Sequence, residues 1–142
     1  MSGFTGNYSC NTLRQGLVNG TINFATDTFY LALYTNAATL NAQTTAYTTT
    51  GEASGGNYVA GGQVVTATVS SGVNNSQQNV TYINFSSPSW TGGITARGAL
   101  IYKAGANGAV CVLDFGSDKT SVVSFTVQMP DNTASSALIR LI

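Results

Sequence analysis

The chain has 142 residues, 43% of them hydrophobic and only 7% charged, against roughly 25% charged in an average soluble domain. That length buries a core without help from disulfides or metal. Five basic and five acidic residues cancel, and there is no histidine. This excludes a polyanion-binding stripe, the Ser-His and Cys-His nucleophile systems, and most zinc sites.

The first ten residues, MSGFTGNYSC, carry neither a basic region nor an apolar run, and no 18-residue apolar stretch follows anywhere. The expectation is a soluble chain made in the cytoplasm, without a secretory signal or a membrane span. In that reducing setting Cys10 and Cys111 are expected to be free and buried, and the sequons at Asn7 and Asn79 carry no glycosylation message. A short helix is predicted around Leu13, Leu17 and Val18, capped by Ser9 or Asn11 and stopped by Gly20, with Gly16 as its weak point. Residues 1–28 therefore read as an N-terminal arm with one helix, and residues 29–142 as the β domain.

From Phe29 the pattern turns to period two. Phe29, Leu31 and Leu33 share one face and Tyr30, Ala32 and Tyr34 the other, so both faces are expected to be covered. Residues 35–62 are rich in Thr, Ala and Gly without periodicity, which predicts a long, mobile contact loop. Strands are predicted at 63–70, 79–86, 94–103, 109–115, 121–129 and 137–142. Short strands separated by turn residues describe an all-β fold, an antiparallel β-sandwich or jelly-roll-like barrel. Asn107-Gly108 between two apolar runs predicts a hairpin with both residues at positive φ. Gly98 inside its strand predicts a bulge or a close backbone approach.

The chemical inventory is thin. The carboxylates are Asp27, Glu52, Asp114, Asp118 and Asp131; Asp114 and Asp118 flank a predicted turn at Phe115-Gly116-Ser117 and come closest to an acid/base pair or a hard-cation site. A solvated turn screened by Lys119 is the preferred reading. Asp114-Phe115-Gly116 lacks the rest of the kinase set, and the glycine-rich stretch 55–62 lacks a phosphate loop's Gly-Lys-Ser/Thr ending. No catalytic, metal or cofactor residue is predicted, and the protein is expected not to be an enzyme.

Candidate protein-contact residues are aromatic. Phe4 and Tyr8 lie in the arm, and Tyr47 and Tyr58 lie in the long loop, where exposed tyrosines suit polar partner contacts. Trp90 sits in the turn-rich segment between Pro88 and Gly92, either as an interface anchor or as a plug closing the core. Arg97 and Arg140 are expected to point outward, with an inter-subunit ion pair as the alternative.

Ile94-Thr95-Ala96-Arg97-Gly98-Ala99-Leu100-Ile101-Tyr102, followed by Val112-Leu113-Asp114-Phe115-Gly116-Ser117-Asp118-Lys119-Thr120, resembles small virion structural proteins of tailed bacteriophages. Leu31-Ala32-Leu33-Tyr34-Thr35 and Gly56-Asn57-Tyr58-Val59-Ala60-Gly61-Gly62 match the same pattern in the same order, so the resemblance spans residues 29–142. It implies a capsid decoration or cement protein on the outer surface of the virion. Such a protein binds the major capsid protein, often as a dimer or trimer, and stabilises the head. No catalytic residues come with the pattern, and no nucleic acid, membrane or cofactor is implied. The alternative is a receptor- or glycan-binding module of a fibre or tail, with Trp90 and Tyr58 stacking on sugar rings.

Overall fold

The period-two pattern at residues 29–34 sets the architecture. A computed structural model describes residues 3–142; of the N-terminal arm, Met1 and Ser2 lie outside the described residues. The elements are β1 (Tyr8–Ser9), α1 (Asn11–Asn19), β2 (Phe29–Tyr34), β3 (Gln63–Val65), β4 (Ala67–Val73), β5 (Asn79–Phe85), β6 (Ser89–Thr91), β7 (Thr95–Lys103), β8 (Ala109–Thr120), β9 (Ser124–Thr126) and β10 (Ile139–Leu141). They form a five-stranded sheet β1-β8-β7-β2-β3, a three-stranded sheet β10-β5-β4 and the pair β6-β9, all antiparallel. The fold is all-β and sandwich-like with one short helix, as the sequence predicts.

The five-stranded sheet is covered on both faces. Phe29, Leu31 and Leu33 of β2 and Ala99 and Ile101 of β7 face Ile83, Phe85 and Ile139 of the smaller sheet, with Trp90 and Phe125 closing one end. The opposite side chains, Ala32, Tyr34, Leu100, Tyr102 and Val112, meet Phe4, Cys10, Ala38 and Leu40 in a second core. Alternation puts successive side chains on opposite faces, so each strand feeds both cores.

The lid over that second core is the arm together with the 35–62 segment, which is a folded cover and not the mobile loop predicted. Asn11 N–H donates to Ala42 O (2.8 Å), Ala109 N–H to Thr45 O (3.1 Å) and Ala53 N–H to Leu33 O (2.9 Å). Backbone groups buried away from water need such partners, and here the irregular segment finds them on the sheet and on α1. Cys10 is the helix N-cap without a side-chain cap bond; the Asn11 bond to the cover takes that part. Gly20, at φ 82°, stops the helix. Gly16 faces inward, where a Cβ would stand 2.7 Å from Ile22 Cδ1, so its place in a helix follows from packing and not propensity.

Gly98 meets both expectations placed on it. The β7/β8 register shifts between Ala96 and Gly98, and the alternation inverts across the shift: Ala96 joins the same core as Ala99 and Ile101. Over this step β7 moves from 98 to 96 while β8 moves from 114 to 119, so the turn predicted at residues 115–117 is a bulge within one long strand. A Cβ on Gly98 would lie 2.4 Å from Phe4 Cε2 and 2.5 Å from Leu113 O. Gly98→Ala is therefore expected to cost about 1–3 kcal/mol, with Phe4 displaced. Chemical denaturation of the variant checks this, and an unchanged midpoint would count against the close seat.

Other boundaries differ from the sequence reading. The strand predicted at 63–70 is two strands, because the chain leaves one sheet after Val65 and joins the other at Ala67. The segment 121–129 shortens to β9. Val122 and Val123 are 85% and 80% exposed, and the backbone beyond β9 bonds elsewhere, Val127 N–H to Pro88 O and Met129 N–H to Ser87 Oγ. The predicted 137–142 strand is β10 alone. In the β7/β8 hairpin the positive-φ residues are Gly105 and Asn107, not Gly108. Gly108 is needed because a Cβ there would stand 1.8 Å from Lys103 O.

Candidate functional site

The aromatic candidates divide by burial. Phe4 is 3% exposed and Trp90 2%, so neither is available as a surface anchor. Phe4 is seated over Gly98, where the absent Cβ leaves room for its ring. Trp90 lies opposite Phe125 in the β6/β9 register and against Tyr58, with ring centroids 5.5 Å apart, which makes it the plug at the end of the sandwich. Tyr8 and Tyr47 are half-buried, and Tyr58 is half-buried with its hydroxyl committed inward.

That hydroxyl belongs to a cluster around Glu52, which the sequence reading did not single out. Tyr47 and Tyr58 each donate to one Glu52 carboxylate oxygen at 2.6 Å, and Gly61 N–H donates at 2.7 Å. Tyr58 Oη in turn accepts Leu33 N–H at 2.9 Å. Tyr34 donates to Thr48 O at 2.6 Å and Tyr102 to Gly61 O at 2.7 Å. Tyr30, Tyr102 and Tyr47 stack side by side, with centroids 5.6 and 4.9 Å apart. Burial, first, and the nearby Glu52 charge raise the hydroxyl pKa of Tyr102 to about 12. The same causes push Tyr47 and Tyr58 further above the ordinary phenol value, and burial dominates the rise at Tyr34. A carboxylate ringed by protonated phenols is a structural clamp on the 35–62 cover.

The remaining ionisable groups are also held structurally. Arg97 does not point into solvent: it pairs with Asp114, the two side chains 11% and 13% exposed, and its guanidinium lies 5.8 Å from the Phe4 ring centroid. The pair is within one chain, not between subunits. Asp114 N–H also donates to Asn7 Oδ1 at 2.6 Å. Asp114 is thus tied to Arg97 while Asp118 is exposed in the bulge, so the two acids do not act as a matched pair. Lys103 pairs with Asp27 at 3.0 Å; the backbone bond from Asn23, then the Lys103 ammonium, holds Asp27 below the usual carboxylate range. Cys10 and Cys111 are free and buried, as expected, and burial raises the Cys10 thiol to about 11 and Cys111 higher. Among the described residues no group of three or more His, Cys, Asp or Glu is placed to hold a metal, and no helix is long and apolar enough to cross a membrane.

Among the described residues, Val18, Val59, Val64, Val69, Val73, Val122, Val123, Leu141 and Ile142 are between 48% and 90% exposed. A concavity of about 610 Å³ runs between α1, β1, the start of β8 and the residues around β10. Leu13 and Leu17 from the helix, Leu113 from β8, and Leu138, Leu141 and Ile142 give it an aliphatic lining, with Tyr8 at one side. Arg14 and Arg140 also line it, and no carboxylate side chain does. Arg14 donates to Ser9 Oγ, to Ser9 O and to Asn11 Oδ1, and Arg140 to Ser135 O; among the described residues neither is in an ion pair. Of the five candidate aromatics, Tyr8 is the one that reaches this groove. Comparison of the chain with protein-family models, with curated proteins and with solved structures gives no match.

Proposed function

We propose that this chain is a structural contact protein of a virion, a decoration or cement protein that binds the outer surface of the major capsid lattice of a tailed phage and stabilises the head. The observation that carries the reading is a chain of zero net charge that, among the described residues, exposes large aliphatic side chains on several elements of the fold, a combination that lacks the mutual repulsion keeping molecules apart. The rigid sandwich, its cover clamped from within, suits a part that bears load through its contacts. The resemblance of residues 29–142 to small phage virion proteins supports the major capsid protein as the partner.

A glycan-binding fibre module is the weaker reading. The two aromatics that motivated it are a buried plug, Trp90, and a ring whose hydroxyl serves Glu52, Tyr58. Quantitative mass spectrometry of purified particles tests the choice. The expected result is a copy number comparable with that of the shell subunit. A few copies per particle, or none, would overturn the cement reading, and binding of the purified protein to host-cell glycans would replace it.

A further inference from the structure

We infer that the groove between α1, β1 and β10 receives an extended segment of another protein chain, aliphatic on the side that enters the groove and carrying carboxylates opposite Arg14 and Arg140. The inference rests on the contact-protein reading and specifies the chemistry of the partner. Three observations converge on it.

Charge is the first. The chain has five cations; Arg97 and Lys103 are in ion pairs, and two of the remaining three, Arg14 and Arg140, line this one groove. On a protein so sparsely charged, two guanidiniums that among the described residues have no carboxylate partner, beside one aliphatic cleft lined by no acidic side chain, complement an anionic occupant. Arginine suits carboxylate recognition through its planar, bidentate donor set.

The second is backbone. β10 has a single neighbour, β5, and β1 covers only Val112 and Cys111 of β8. The groove is thus bordered by strands at the edges of both sheets. A strand edge with unpaired N–H and C=O groups is the template for strand addition, in which main-chain bonds supply affinity and alternate side chains fill pockets. A carboxylate-headed lipid would match the arginines and the leucines but has no main chain to add to the β10 edge, so the occupant we infer is a peptide.

The third separates a foreign partner from a second copy. The exposed carboxylates of this chain, Asp118 and Asp131, lie in Gly-Ser-Asp-Lys-Thr and Pro-Asp-Asn-Thr contexts. Neither sits in an aliphatic strand able to fill the groove.

The probe is a synthetic, end-blocked peptide alternating valine and glutamate, compared with one alternating valine and lysine. Calorimetric titration is expected to show binding of the glutamate peptide alone, weakening as salt rises, with slowed amide exchange along β10. The double variant R14E/R140E should lose affinity by at least about tenfold and shift its preference to the lysine peptide. Lys119→Gln, a charge change outside the groove, should leave binding unaltered. Equal binding of both peptides, tighter binding of oleate than of peptide, or a self-association that R14E/R140E abolishes would each overturn the inference. These outcomes are independent of particle copy number: a shell component that ignores the peptide refutes the groove alone, and a peptide binder missing from particles refutes the capsid assignment alone.

Discussion

Glu52→Ala is expected to destabilise the fold by about 3–5 kcal/mol: three hydrogen bonds to a charged acceptor, at about 1.5–3 kcal/mol each, are lost together, and water offsets part of the loss because Glu52, Tyr47 and Tyr58 are only half-buried. The loss should be local in its first effects. Tyr47, Tyr58 and Gly61 all donate to this carboxylate, and without it the 47–61 part of the cover has no common anchor. Hydrogen exchange should therefore accelerate at residues 47–62 before the strands respond. Glu52→Gln keeps the shape and one acceptor oxygen and should fall between. A Glu52→Ala variant within about 0.5 kcal/mol of the parent, the usual range for a neutral surface change, would show that the clamp contributes little.

Alkaline pH should unfold the protein over a narrow range. Tyr34, Tyr47, Tyr58 and Tyr102 are raised above the ordinary phenol value of 10.0, and Cys10 and Cys111 above the thiol value of 9.0. A group whose pKa is raised in the fold keeps a proton that the unfolded chain gives up. Its stabilising effect is complete below the unfolded value and is lost as pH climbs toward the folded one. Each such group removes about 1.4 kcal/mol per pH unit. Counting only Tyr34, Tyr58 and Cys111, stability should fall by about 4 kcal/mol per unit above pH ~10, which exhausts a typical domain stability of 5–15 kcal/mol within a few units. Circular dichroism and phenolate absorbance should change together, with a midpoint at roughly pH 11–12. Phenolate formation along the curve of free tyrosine, with the dichroism unchanged, would contradict the buried cluster.

The strands were legible where one periodicity controlled burial. Residues 29–34 alternate cleanly because both faces of β2 are buried, and Gly98 announced its bulge because no side chain fits beside Phe4 and Leu113. The contact residues were less legible. Trp90 sits among turn residues, and a turn-rich context does not distinguish an exposed indole from one folded back as a plug. Glu52 gave no local signal: its partners come from three places in an aperiodic segment, and tertiary hydrogen bonds leave no period in sequence. The groove was invisible for the same reason, since it joins residues near the two ends of the described chain. Tyr8 was found as an aromatic of the arm, but Arg14 and the pairing of its charge with that of Arg140 follow only from the fold.

The seat of the arm on the sheet bears on the order of assembly during synthesis. Asn7 bonds Asp114, 107 positions away, and Thr12 bonds Ala109 O, 97 positions away. Contacts of such separation close late and slow folding. Asn7 and Thr12 must wait until β8 has emerged from the ribosome before they find their partners, and until then one face of the central sheet lacks part of its cover. For a protein that exposes several large aliphatic side chains even when folded, that interval is the time of greatest exposure to aggregation.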